Sequence, residues 1–151
     1  MARANKSGQG FRIAYTGDPS PDAFEIWSAV MWEILDGNRL TYGLIEEYSD
    51  CCRGPGILSQ KNDYAHRRLW TQGRKYGGIL HATSQRPQLI SKDALGNAGI
   101  IWASAMDTAA AKRVAAEMDI GADDLRACQV GEFFCRNNGA AAEKIKVFTP
   151  I

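Results

Sequence analysis

Two carboxylates, Glu46 and Glu47, stand where the apolar run Leu40 to Ile45 ends, and an amide, Gln85, closes a second run, Ile79 to Gln85. Open parallel sheets bind their ligands at the carboxyl ends of strands, so acidic and amide groups at two such ends are candidates for joint chemistry. One carboxylate could hold a magnesium ion through water, and the other could orient or deprotonate an attacking water. The Gln85 amide could contact a phosphate or position that water. Either feature alone describes an ordinary solvated loop start. Their order is the informative part: acidic strand, basic helix, glutamine strand.

The elements that must position these groups follow from periodicity and punctuation. Phe11 to Tyr15 alternates as a short strand and ends in Thr-Gly-Asp-Pro. Ser20 before Pro21 and Asp22 is an N-cap with proline at the first helical position. The helix it opens carries Phe24, Trp27, Val30, Met31, Ile34 and Leu35 on one broad face, and stops at Asp36-Gly37-Asn38. Leu40 to Ile45 is a strand, Cys51 to Asn62 a loop, and Asp63 to Lys75 a basic helix with Leu69 and Trp70 inward. Tyr76-Gly77-Gly78 leads into the Gln85 strand. Leu89 to Ala98 is a short helix or turn, and Ile100 to Ala103 is a strand. Asp107 caps an alanine-rich helix to Met118, and Asp123 to Ala127 is a smaller one. Gly131 to Arg136 and Lys144 to Phe148 form a C-terminal hairpin around Asn137-Asn138-Gly139. Alternation of strands and helices predicts an α/β fold with a mostly parallel sheet and flanking helices.

Composition narrows the class of protein. The 151 residues suit one domain, and 45% hydrophobic with 23% charged residues is the balance of a globular chain. A net charge of +1 selects no partner, so nucleic acid would require a local patch. No run approaches the roughly 20 apolar residues of a membrane span. The first ten residues lack the apolar core of a signal peptide. Cys51, Cys52, Cys128 and Cys135 include no Cys-x-x-Cys pair and no accompanying histidine spacing, which reads as reduced thiols in a cytoplasm and argues against zinc.

The run Gly73-Arg74-Lys75-Tyr76-Gly77-Gly78-Ile79-Leu80-His81-Ala82-Thr83-Ser84-Gln85-Arg86-Pro87 resembles the signature stretch of FtsK–HerA-type ATPases. These are motors that move DNA, including packaging and conjugation ATPases. Leu44-Ile45-Glu46-Glu47 sits where that family has its Walker B motif, so the resemblance covers the chain from about Phe11 onward. It implies a RecA/ASCE-like P-loop NTPase core, N-terminally truncated, with residues 1–151 as a single partial domain. It further implies ATP and Mg2+ as cofactors, a homo-oligomer or a complex with a complete ATPase, and double-stranded DNA as a partner. Glu47 would be the catalytic carboxylate, Glu46 the magnesium-associated residue, Gln85 the sensor glutamine and Arg74 an arginine finger, with Arg86 as the alternative finger.

The sequence departs from that pattern twice. Glu46 is one methylene longer than the family's aspartate, so a water-mediated metal contact would have to readjust. No Gly-x-x-x-x-Gly-Lys-Ser/Thr occurs, and in Lys6-Ser7-Gly8-Gln9-Gly10 the glycines follow the lysine. A phosphate cradle needs them first, so that successive backbone N–H groups curl around the anion. In the family's sheet the phosphate-loop strand lies between the Gln85 strand and the Ile100 strand, whose edges would then face a gap. Two other readings fit the residues: an inactive assembly or regulatory subunit, and an α/β nucleic-acid-binding domain using Arg67, Arg68, Arg74, Lys75 and Arg86.

Overall fold

A computed structural model describes residue 10 and residues 12–147. The reversed Lys6–Gly10 element and Phe11 fall almost wholly outside them. Arg12 to Tyr15, expected as a strand, is irregular and exposed.

Helix α1 (Pro21–Ile34) begins as the residues dictate: Ser20 Oγ accepts the Ala23 N–H at 3.2 Å and Pro21 occupies the first turn. Phe24, Ser28, Met31 and Ile34 recur at helical spacing and form its buried face. It stops at an Asp36 turn, whose Oδ1 accepts the N–H groups of Asn38 and Arg39 at 2.8 and 3.1 Å. Strand β1 (Thr41–Ile45) follows, then a 3-10 turn (Tyr48–Cys51), helix α2 (Tyr64–Gln72) and a second 3-10 turn (Gly73–Tyr76). Gly77, at φ 84°, swings the chain into strand β2 (Gly78–Ala82); a Cβ there would lie 2.3 Å from the Arg39 carbonyl oxygen.

β1 and β2 pair in parallel, from Thr41 opposite Gly78 to Ile45 opposite Ala82. A turn at Pro87–Leu89 and helix α3 (Lys92–Gly96) lead to strand β3 (Ile100–Ala103), helix α4 (Thr108–Met118) and helix α5 (Ala122–Arg126). Asp107 caps α4 by accepting from Ala109 and Ala110. Strands β4 (Glu132–Asn137) and β5 (Glu143–Lys146) form the expected hairpin, with Asn138 and Gly139 both left-handed in its connector.

The expected mostly parallel, RecA-like sheet does not form. The described residues build two separate sheets: the parallel pair β1–β2, and an antiparallel sheet of order β3–β4–β5. β2 and β3, anticipated as flanking a missing strand, belong to different sheets. β3 instead runs against β4, with Trp102 opposite Cys135, and Ser104 Oγ donates to the Glu132 carbonyl at 2.7 Å where the two strands meet. Burial patterns explain the difference. Parallel sheets are covered on both faces. Here β1 and β3 alternate, and Leu44 is 77% exposed beside buried Ile45.

Two apolar clusters hold the elements. One joins Phe24, Ile45, Tyr48, Cys51 and Ala94; the other joins Leu95, Ile101, Ala103, Ala111, Val114, Met118, Leu125 and Cys128. Ile90 packs against both, so the α3 region ties the two sheets together.

Candidate functional site at the ends of the parallel strands

The β1–β2 ladder continues past the strands themselves. Thr83 N–H donates to the Ile45 carbonyl at 2.9 Å, and Tyr48 N–H donates to the Thr83 carbonyl at 2.8 Å. These bonds carry Glu47 and Ser84-Gln85 into one place. Glu47 Oε1 accepts from Ser49 Oγ at 2.6 Å, from Ser84 Oγ at 3.1 Å and from the Gln85 backbone N–H at 3.1 Å. That N–H also reaches Oε2, at 3.2 Å. The Ser49 hydroxyl foremost, then the Gln85 and Ser84 donors and the nearby Arg86 charge, hold the Glu47 carboxyl below the usual carboxylate range.

Glu47 itself is left-handed, at φ 45° and ψ 55°. A non-glycine residue pays roughly 1–2 kcal/mol for this conformation, so its surroundings must impose it. Asp50 N–H donates to the Glu47 carbonyl, closing the 3-10 turn, and Arg86 ties that turn to the Gln85 segment through a 2.6 Å bond to Asp50.

Not all the candidate residues come together. Glu47 and Gln85 meet, and Arg86 stands beside them with its guanidinium committed to Asp50. The Gln85 carboxamide makes no hydrogen bond among the described residues, and the residue is exposed. Glu46 is exposed, and the described residues contain no group of three or more His, Cys, Asp or Glu side chains able to hold a metal. Arg74 lies in the turn that precedes β2, at the opposite end of that strand and about 20 Å away along an extended chain.

The sequence reading passed over several residues. Ser49 and Asp50 follow Glu47 closely, and their hydroxyl and carboxylate were the available signal. Tyr48 and His66 carried no local signal. Both are 1% exposed, and a 2.5 Å hydrogen bond joins Tyr48 Oη to His66 Nε2. Burial raises the Tyr48 phenol and pushes His66 down to about 4. Glu25 of α1 caps α2 from a distance, accepting from Ala65 and His66 N–H at 2.7 and 2.9 Å. It replaces Asp63, the residue at the cap position, whose carboxylate serves Arg53 and the Ser59 N–H instead.

Fold and site together define a chain of helices with one parallel strand pair and one antiparallel sheet, in which the parallel strand ends bring a carboxylate onto a glutamine segment. No family model matches it. The chain is 28% identical over 123 residues to Protein P9 of Pseudoalteromonas phage PM2, a match that takes in 80% of this chain and 54% of P9. It thus spans about half the length of that relative. Among the described residues no helix is long and apolar enough to cross a membrane.

Proposed function

We propose that this chain supplies the hydrolytic part of an FtsK–HerA-like ATPase that translocates or packages DNA, in a phage or related mobile element. The observation that carries the reading is the meeting of Glu47 with the Gln85 segment beyond the carboxyl ends of β1 and β2. The similarity to a phage protein supports the setting.

In this reading Glu47 Oε2 does the work. Oε1 takes two hydroxyls and the N–H of Gln85, whereas Oε2 receives only the shared N–H. Its remaining lone pair can accept from a water, and the Gln85 carboxamide can hold that water from the other side. The residues present do not fit a bound nucleotide by themselves. No glycine-first phosphate cradle occurs, and Glu46 is a solitary exposed carboxylate, not a built magnesium site. The phosphates would have to be held by a Gly-rich loop outside these 151 residues.

The test is phosphate release by the purified chain, alone and combined with a polypeptide that carries a Gly-rich phosphate loop of this family. We expect background turnover alone and ATP turnover from the pair, with Glu47→Gln lowering kcat at least 100-fold without dissolving the complex. Turnover by the pair that ignores Glu47→Gln would sink the reading.

One observation favours a second reading, a non-catalytic assembly or regulatory subunit. Three donors make Glu47 a clamp between two strand ends, a role that needs no reaction. A stoichiometric complex with a complete ATPase, whose turnover is indifferent to Glu47→Gln, would select it.

A further inference from the structure

We propose that Tyr48 and His66 are positioning residues, which hold Glu47 in its left-handed conformation over the end of β2. The inference rests on reading Glu47 as the residue that acts, and it concerns what fixes that residue in place.

Tyr48 directly follows Glu47 and is held from two sides. Its backbone N–H is bonded to Thr83, the residue before Ser84, so the Tyr48 main chain is part of the strand-end ladder. Its ring is buried against Phe24, Trp70 and His66, with centroids 5.6, 5.0 and 5.6 Å away. The hydroxyl bonds His66 Nε2, with the Ser91 and Cys52 side chains also beside it. With either tautomer, His66 Nδ1 is left buried without a partner. The ring therefore loses one hydrogen-bonding group to burial, and the bond to Tyr48 is what its side chain obtains in return.

His66 in turn stands on a rigid support. The Glu25 carboxylate fixes the first turn of α2 through the Ala65 and His66 N–H groups, and the Phe24 ring meets the imidazole edge-on at 4.6 Å. The path runs from α1 to α2, through the imidazole to Tyr48, and so to the turn that Glu47 opens. A strained backbone conformation persists only where its surroundings over-determine it, and this buried pair supplies the constraint on one side of Glu47.

The test reads the Gln85 N–H, whose partner is the Glu47 carboxylate. Tyr48→Phe and His66→Phe keep the aromatic volume and remove the bond. In both, the Gln85 amide should exchange with solvent at least tenfold faster. Its proton resonance should move in the direction set by Glu47→Gln, which removes the clamp's charge and one of its two acceptor oxygens. The amides of Ile101 and Val114, in the other apolar cluster, should stay within twofold. An unchanged Gln85 amide in both variants would overturn the proposal. So would equal losses at Gln85, Ile101 and Val114, which would make the pair a general stabilising contact. Neither result bears on ATP turnover, so this inference and the proposed reaction fail separately.

Discussion

The Glu47 carboxylate accepts the backbone N–H of Gln85 at 3.1 Å, 38 residues further along the chain. The bond joins the exits of two parallel strands and turns two ordinary loop starts into one local arrangement.

Removing that arrangement should cost stability as well as any activity. Glu47→Ala deletes a charged acceptor shared by two hydroxyls and an amide, while relieving none of the left-handed strain. Charged hydrogen bonds contribute about 1.5–3 kcal/mol each when buried, and partial exposure reduces this to a total of about 1 kcal/mol. Urea denaturation monitored by tryptophan fluorescence should show the midpoint falling. A midpoint at or above that of the parent would contradict the clamp.

Acid should weaken the fold through His66. Its folded-state value, about 4, lies below the ordinary 6.5, because burial disfavours the imidazolium. The charges around it are Asp63, Arg53 and Asp93, and Tyr48 and the Glu25-capped helix end enclose it. The unfolded chain therefore binds a proton as pH falls through 6.5, and the folded chain does not until about 4. Stability is complete above 6.5 and declines through that window, by on the order of 3 kcal/mol. Glu47, also depressed, adds to the loss at the acid end. Equilibrium unfolding at a series of pH values should show this slope, and His66→Phe should flatten its upper part.

The distant cap makes a separate claim. Glu25→Ala leaves two N–H groups at the start of α2 without their acceptor and should lower stability by about 1–2 kcal/mol. Glu25→Gln, which keeps one acceptor oxygen, should recover part of it. Thermal unfolding of both variants decides the matter, and equal melting of Glu25→Ala and the parent would show that α2 needs no cap from α1.

The structure sorts the basic residues considered for nucleic acid. Arg67 lies 3.8 Å from Asp93 and Arg86 is paired with Asp50, whereas Arg68, Arg74 and Lys75 make no ion pair among the described residues. If DNA binds along α2 and the turn after it, the dependence of log K on log salt should lose about 0.9 per neutralised phosphate contact. The double variant Arg74→Gln with Lys75→Gln should therefore shallow the slope by about 2, and Glu47→Gln should leave affinity unchanged. Fluorescence anisotropy with a labelled duplex, across a salt series, gives both numbers. Equal slopes would move any DNA contact elsewhere.

Local chemistry made much of the chain legible. Ser20 with Pro21, Asp107 before its alanine-rich helix, Gly77 before β2 and Asn138-Gly139 between β4 and β5 act where they were read. Each works through its own φ, its own side chain or a neighbour a few residues off. The Tyr48–His66 bond could not be read this way, because it joins residues 18 apart whose types are unremarkable in their own segments. The Glu25 cap spans 41 residues and takes the place of Asp63, which occupies the cap position without a side-chain capping bond.

What the amino-acid order alone determined is therefore the succession of helices and strands from Pro21 onward, though not the strand expected before it, and the polar groups at two strand ends. Period and punctuation act over a few residues and leave their mark in the sequence. Tertiary structure decided which strands became neighbours. It set β3 against β4 instead of beside β2, brought Glu47 to Gln85, and left Arg74 at the far end of the same strand. Pairing partners are chosen by which apolar faces can be buried together, and that is a property of the whole chain.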